Sequence, residues 1–141
     1  MRVLDIMNTD VATAAPGTPI SQVAKLMADR DVGAVLIVED GKPVGIVTDR
    51  DLVVDHLAKG HTQDHAVQEA VSGGGAFAGL TTVAPDLDVL EAAQELGRHQ
   101  VGRLPVVAGD RLVGIVSAGD LAKQLRTALD GLLAEGEKAE Q

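Results

Sequence analysis

The chain contains no cysteine, tryptophan or tyrosine, and Phe77 is the one aromatic ring among its 141 residues apart from four histidines. Without cysteine there are no disulfide frameworks, thiolate zinc sites or cysteine nucleophiles. Without aromatics the core is built from Val, Leu, Ile and Ala, and ring stacking plays little part in recognition. A bound base must therefore rest on aliphatic surface and backbone. Cations are also scarce: 12 Lys and Arg against 21 Asp and Glu leave a formal net charge of −9. That balance argues against nucleic acid or an anionic membrane as the main partner, because phosphate surfaces are bound through excess Lys and Arg. Some of the charge is peripheral, since Asp130, Glu135, Glu137 and Glu140 stand against Lys138 near the end of the chain. There is no long apolar run, and MRVLDIMNTD lacks the hydrophobic core of a signal peptide. A soluble, cytoplasmic protein is expected.

What is present is a repeat. With 45% apolar residues the chain is long enough for one domain with a sizeable core. VGIVTDRDL at 44–52 returns as VGIVSAGDL at 113–121, and Pro16 and Pro85, Gly33 and Gly102, and Asp51 and Asp120 share the same shift of 69 positions. That single shift aligns 11–52 with 80–121 without a gap. Self-similarity at one fixed shift marks two copies of one structural unit.

Each copy reads the same way. A turn-rich lead (TAAPGTP in the first) precedes a helical stripe, Ile20, Val23, Ala24 and Met27 in the first copy and Val89, Ala92, Ala93 and Leu96 in the second. A strand, a polar turn (EDGK or AGDR) and a second strand then form a β-hairpin. Thr48 or Ser117 opens a closing helix. The expected order per copy is β-α-β-β-α, an α/β (α+β) class fold, and one copy alone cannot cover both faces of its small sheet. Two pseudo-symmetric repeats, 1–62 and 63–126, are therefore expected to pack sheet to sheet.

Between the copies lies a short amphipathic piece around Ala66 to Val71, followed by a glycine-rich connector at 72–79. Its SGGGAFAG run lacks the Gly-Lys-Ser/Thr ending of a phosphate loop and does not lie between a strand and a helix start. The acidic stretch 127–141 is expected to fray into solvent. His56, His61 and His65 form H-x4-H-x3-H, a spacing open to metal ligation, although solvated surface histidines are the favoured reading. His99 ends a helix, where a cation suits the negative dipole end.

The Thr/Ser-x-x-Asp starts carry two compatible readings. As caps, the hydroxyl of Thr48 or Ser117 accepts from backbone and Asp51 or Asp120 favours the first turn. As a site, a helix N-terminus offers N–H groups to phosphate while an Asp there accepts from both hydroxyls of a ribose.

With these phrases in place, the chain resembles a CBS-domain pair, or Bateman module, of the short stand-alone bacterial kind that includes hypoxic-response proteins. The likeness extends over 3–125 and rests on LDIMNTDVATAAP, DVGAVLIV, HQVGRLPVV and the two GIV(T/S)xxD phrases. The resemblance implies adenosine-containing ligands, namely AMP, ADP, ATP, S-adenosylmethionine or dinucleotides, held in clefts between the repeats. By motif position, Asp51 and Asp120 would hold ribose hydroxyls, and Thr48 and Ser117 would contact phosphate or ribose. Adenine would sit against the backbones of Gly33, Ala34 and Val35 and of Gly102, Arg103 and Leu104, near Thr13 and Thr82. Arg103 would meet phosphate, or else form a surface ion pair, and Arg50 is a further available cation. The resemblance also implies a homodimer.

The copies differ where ligands would bind. Ala34 faces Arg103 in the alignment, Leu36 faces Pro105, and Asp49-Arg50 faces Ala118-Gly119, so the two clefts are not expected to be equivalent. No hydrolase or transferase constellation stands out, and a non-catalytic module needing no cofactor is expected. It would bind an adenine nucleotide or S-adenosylmethionine and signal by conformational change to an unidentified protein target. The competing expectation is an interaction scaffold whose Thr/Ser-x-x-Asp motifs serve only as caps.

Overall fold

The architecture is that of a computed structural model, which describes residues 1–60, 65–69 and 80–140. The first repeat contains β1 (Thr13–Ala14), α1 (Ile20–Arg30), β2 (Ala34–Glu39) and β3 (Lys42–Thr48). Helical turns follow β3, π-helical over Asp51–His56 and 3-10 over Leu57–Lys59. The second contains α2 (Val89–His99), β4 (Arg103–Ala108), β5 (Arg111–Ser117) and α3 (Ala118–Glu140). The expected α/β order is therefore present, with three differences.

The closing helix of the first repeat is not a regular α-helix but a π turn tightened by a 3-10 turn, ending at Gly60 with φ +84°. The leading strand of the second repeat is reduced to one parallel bridge, Val83 to Val106, so the two sheets have three and two strands among the described residues. The stretch expected to fray is instead the distal part of α3, which runs through Glu140. Alanine, leucine, glutamate and lysine there all favour helix. The connector 72–79 and His61 lie outside the described residues.

Chain periodicity explains the rest. α1 buries Ile20, Val23 and Met27, and α2 buries Val89, Ala92 and Leu96 at the corresponding helical spacing. Asp88 caps α2 by accepting from the Leu90 N–H at 2.8 Å. Both helices end on a left-handed residue, Asp31 (φ 52°) and Gln100 (φ 54°), one repeat apart. The two hairpins have closely matching registers, and each shifts register at one equivalent place, Ile37/Val38 and Val106/Val107. Asp40 and Gly41 both have positive φ, as the right-handed twist of a two-residue hairpin loop demands.

Two cores form, and each takes in a segment from beyond its own repeat's helix and hairpin. Core one holds Val23, Val35, Ile37, Val47 and Leu52 together with Val67. Core two holds Val83, Leu96, Leu104, Val106, Val116 and Leu121 together with Val3. The backbone shows why. Val67 N donates to Thr18 O at 2.7 Å and Ile20 N donates to His65 O at 2.9 Å, strapping 65–69 to the start of α1. Val3 N donates to Leu87 O at 2.8 Å and Val89 N to Met1 O at 3.1 Å, tying the first residues to the start of α2. Asn8 and Ile115 then exchange two backbone bonds, 2.9 and 3.0 Å, across β5.

The repeats meet through β3 and β5. At the hairpin tips Leu112 N donates to Gly41 O at 3.2 Å, and Lys42 Nζ lies 3.2 Å from Asp110 Oδ2. That pairing holds the Asp110 carboxyl below its ordinary range, first by the hydrogen bond from Lys42 and then by its charge.

Candidate functional site

The strand-to-helix turn is built the same way in both repeats. Thr48 N donates to Asp51 Oδ2 at 2.8 Å, and Asp51 N donates to Thr48 Oγ1 at 3.2 Å. In the second repeat Ser117 N donates to Asp120 Oδ2 at 3.4 Å and Asp120 N to Ser117 Oγ at 3.1 Å. Each turn is thus a reciprocal cap, which satisfies two backbone donors that the helix start would leave unpaired. The cap expected from the sequence is present. It does not exhaust the carboxylate, whose two oxygens carry lone pairs for further donors.

Each capped turn is fastened beside a glycine that leads into a core strand. Asp49 N donates to Gly33 O at 3.0 Å, and Ala118 N donates to Gly102 O at 2.9 Å. The hairpin register sets Ala34 opposite Thr48 and Arg103 opposite Ser117. Val35 and Leu104 come next, and both side chains are wholly buried, so these two residues can offer a ligand only backbone. Gly33, Ala34, Val35, Thr48 and Asp51 are thereby gathered at one edge, and Gly102, Arg103, Leu104, Ser117 and Asp120 at the corresponding edge of the other repeat.

One charged side chain reaches from one edge toward the other. A Cβ at Gly33 would stand 3.4 Å from Arg103 Nη2 and 3.5 Å from Asp49 Oδ2. Arg103 therefore reaches from β4 of the second repeat to the glycine of the first. The corresponding space at Gly102 is open, with nothing within 4 Å of a Cβ there. This inequality follows from Ala34 and Ala118, which replace the cation and the anion in the other cleft.

The remaining residues are placed less centrally. Thr13 is exposed on β1, opposite Leu36 in a parallel register. Thr82 lines an open hollow with Leu87, Glu91, Glu95 and Arg98 beside α2, and no other expected site residue lines that hollow. Arg50 is exposed, its N–H donating to Asp49 Oδ1 at 2.8 Å. Asp49 was missing from the residues expected at the site. Its signal was the contrast of Asp49 with Ala118 read together with that of Arg103 with Ala34, two charges of opposite sign present in only one copy each.

The histidine spacing yields one contact among the described residues. His56 is 2% exposed, and its ring meets that of His65 edge to face with centroids 5.3 Å apart. No group of three metal-ligating side chains occurs among the described residues. His99 ends α2 with Nε2 3.2 Å from Glu95 Oε2, and Arg98 also pairs with Glu95. No helix among the described residues is long and apolar enough to cross a membrane.

Comparison with known proteins adds the lineage. The chain is 39% identical over 120 residues to the CBS domain-containing protein YhcV of Bacillus subtilis, covering 85% of this chain and 82% of that one. A crystal structure of hypoxic response protein I with two coordinated zinc ions superposes with a TM-score of 0.73 at 32% identity, covering 88% of this chain and 98% of the other. The CBS domain pair of protein MJ0100, crystallised with 5′-methylthioadenosine and S-adenosyl-L-methionine, superposes with a TM-score of 0.77 at 25% identity, covering 91% and 98%. The CBS domain family matches residues 3–54 and again 78–127, with most of the glycine-rich connector between the two matches. Two copies of one unit, each with its hairpin and its capped turn, place this chain in the CBS domain family as a pair of CBS repeats.

Proposed function

We propose that the chain is a non-catalytic regulatory module that binds an adenosine-containing ligand between its repeats and passes the event on through a change in their packing. The observation that carries this reading is the duplicated turn: in both repeats a hydroxyl and a carboxylate cap the same helix start, beside a glycine carbonyl at the head of a buried strand. Asp51 and Asp120 accept from a ribose diol there, Thr48 and Ser117 contact ribose or phosphate, and the base lies on the aliphatic backbone edges after Gly33 and Gly102. The adenosyl ligands of the MJ0100 pair support the same ligand class. Signalling requires that the ligand prefer one packing of the repeats, since a ligand shifts an equilibrium only by its differential affinity.

The output acts on a protein target, in the cytoplasm, from a homodimer. Exposed apolar side chains support self-association: Val53, Val54 and Leu57 after β3, and Leu129, Leu132 and Leu133 on α3. A monomer mass by light scattering overturns the dimer.

A scaffold that binds no nucleotide is the second reading, favoured by the caps themselves, which account for all four motif residues without a ligand. A thermal-shift panel of AMP, ATP, S-adenosylmethionine and 5′-methylthioadenosine separates the two, because a ligand that binds only the folded state raises Tm with its saturation. The regulatory reading expects a shift that Asp51→Asn or Asp120→Asn reduces. No shift with any adenosyl compound leaves the scaffold.

A further inference from the structure

The cleft at Gly33 is unusual in what it places together. Arg103 Nη2 and Asp49 Oδ2 approach the same point in front of the Gly33 backbone, at 3.4 and 3.5 Å from where a Cβ would stand. They come from different repeats, and no ion pair joins them among the described residues. Asp49 Oδ1 is engaged by the Arg50 N–H at 2.8 Å, which aims Oδ2 toward the glycine. A donor fork and an acceptor thus flank one small space without forming an ion pair.

Such a space does not suit a polyphosphate. Each added phosphate brings further negative charge beside Asp49, in a chain whose formal net charge is already −9. It suits a group that carries both charges close together, as an ammonium and a carboxylate on one carbon. An α-amino-acid zwitterion does: its carboxylate takes the Arg103 fork and its ammonium donates to Asp49 Oδ2. The other cleft, with Ala34, Ala118 and an open Gly102, has neither charge and makes no such distinction.

Building on the adenosyl-binding reading above, we infer that Asp49 and Arg103 make the Gly33 cleft selective for an adenosyl ligand that ends in an amino-acid zwitterion, over adenine nucleotides with phosphate chains. Asp49 is the discriminating residue. It rewards the ammonium and repels the phosphate, while Arg103 would serve either anion.

The test is titration calorimetry of the intact chain with S-adenosylhomocysteine, 5′-methylthioadenosine, AMP and ATP. S-adenosylhomocysteine carries the zwitterion without a sulfonium charge, and 5′-methylthioadenosine lacks the amino acid. The expected result is S-adenosylhomocysteine bound about tenfold or more tightly than either 5′-methylthioadenosine or ATP, the scale of one charge-assisted contact. Asp49→Asn keeps the side-chain oxygen for the Arg50 N–H and is exposed, so it folds. It should weaken S-adenosylhomocysteine about tenfold and strengthen ATP. Arg103→Gln should weaken both. Tighter binding of ATP or AMP by the unaltered chain, or an unchanged ratio in Asp49→Asn, overturns the selectivity and leaves the adenosyl-binding reading standing. Absence of binding by all four compounds overturns both.

Discussion

Met7 lies over Gly114: a Cβ on that glycine would stand 2.7 Å from the Met7 sulfur and 3.1 Å from the Asn8 carbonyl oxygen. The first residues cross β5 here, where Asn8 and Ile115 exchange their backbone bonds. A side chain at Gly114 must push this crossing strand away, because the Asn8 oxygen belongs to the backbone and cannot rotate aside. Gly114→Ala is expected to destabilise the fold by about 1–3 kcal/mol, the usual cost of overpacking, measured by urea unfolding. Adding Met7→Ala should recover part of that loss, since it removes the closest contact but leaves the carbonyl.

Val67 is the second test of the strapped cores. It is fully buried with α1 and β2, although it lies well beyond the closing turns of the first repeat. Val67→Ala removes two methyl groups and leaves a cavity, which costs about 2 kcal/mol. Gln68→Ala, at the exposed neighbour, should stay within about 0.5 kcal/mol of the unaltered chain. Equal and small effects for both would mean that the 65–69 segment does not belong to the core.

The two caps should differ in strength. Thr48 and Asp51 are joined by bonds of 2.8 and 3.2 Å in a half-buried setting, whereas Ser117 and Asp120 are joined at 3.4 and 3.1 Å in an exposed one. Caps are worth about 0.5–2 kcal/mol. Thr48→Ala is expected toward the upper part of that range and Ser117→Ala toward the lower, by thermal and chemical unfolding of each variant.

Asp110 offers a pH signature of the contact between hairpin tips. Lys42 holds its carboxyl below the ordinary range in the folded chain. A depressed folded value means stability that is present above the unfolded carboxylate pKa and lost as pH falls through the folded one. Nuclear magnetic resonance titration should find the Asp110 midpoint low, and Lys42→Gln should return it upward. The two proteins should differ in stability near neutrality and converge in acid. Added salt should narrow the difference, because both side chains are exposed.

These outcomes depend on features of unequal visibility in the sequence. The hairpins, the helical stripes and the capped turns were legible because each is local: alternation of two for strands, three to four for helices, and a hydroxyl three residues before a carboxylate. The regular helix expected after Thr48 was not found, since the Asp51–His56 stretch takes π geometry and closes on Gly60. The acidic end continues α3 as far as Glu140, where its helix-favouring residues outweigh the terminal position and charge from which fraying was expected.

The sequence by itself determined that the chain is built twice, because a single shift of 69 positions repeats the helical stripes, the hairpins and the Thr/Ser-x-x-Asp caps that neighbouring residues encode. Only the tertiary structure decided that Val3 completes the second core and Val67 the first. It also brought Arg103 to the glycine shared with Asp49. The reason is one of range. Burial rewards any apolar side chain that fits a gap and is indifferent to where in the chain it comes from. Charges more than a third of the chain apart become neighbours only once two packed cores have fixed the distance between their strands.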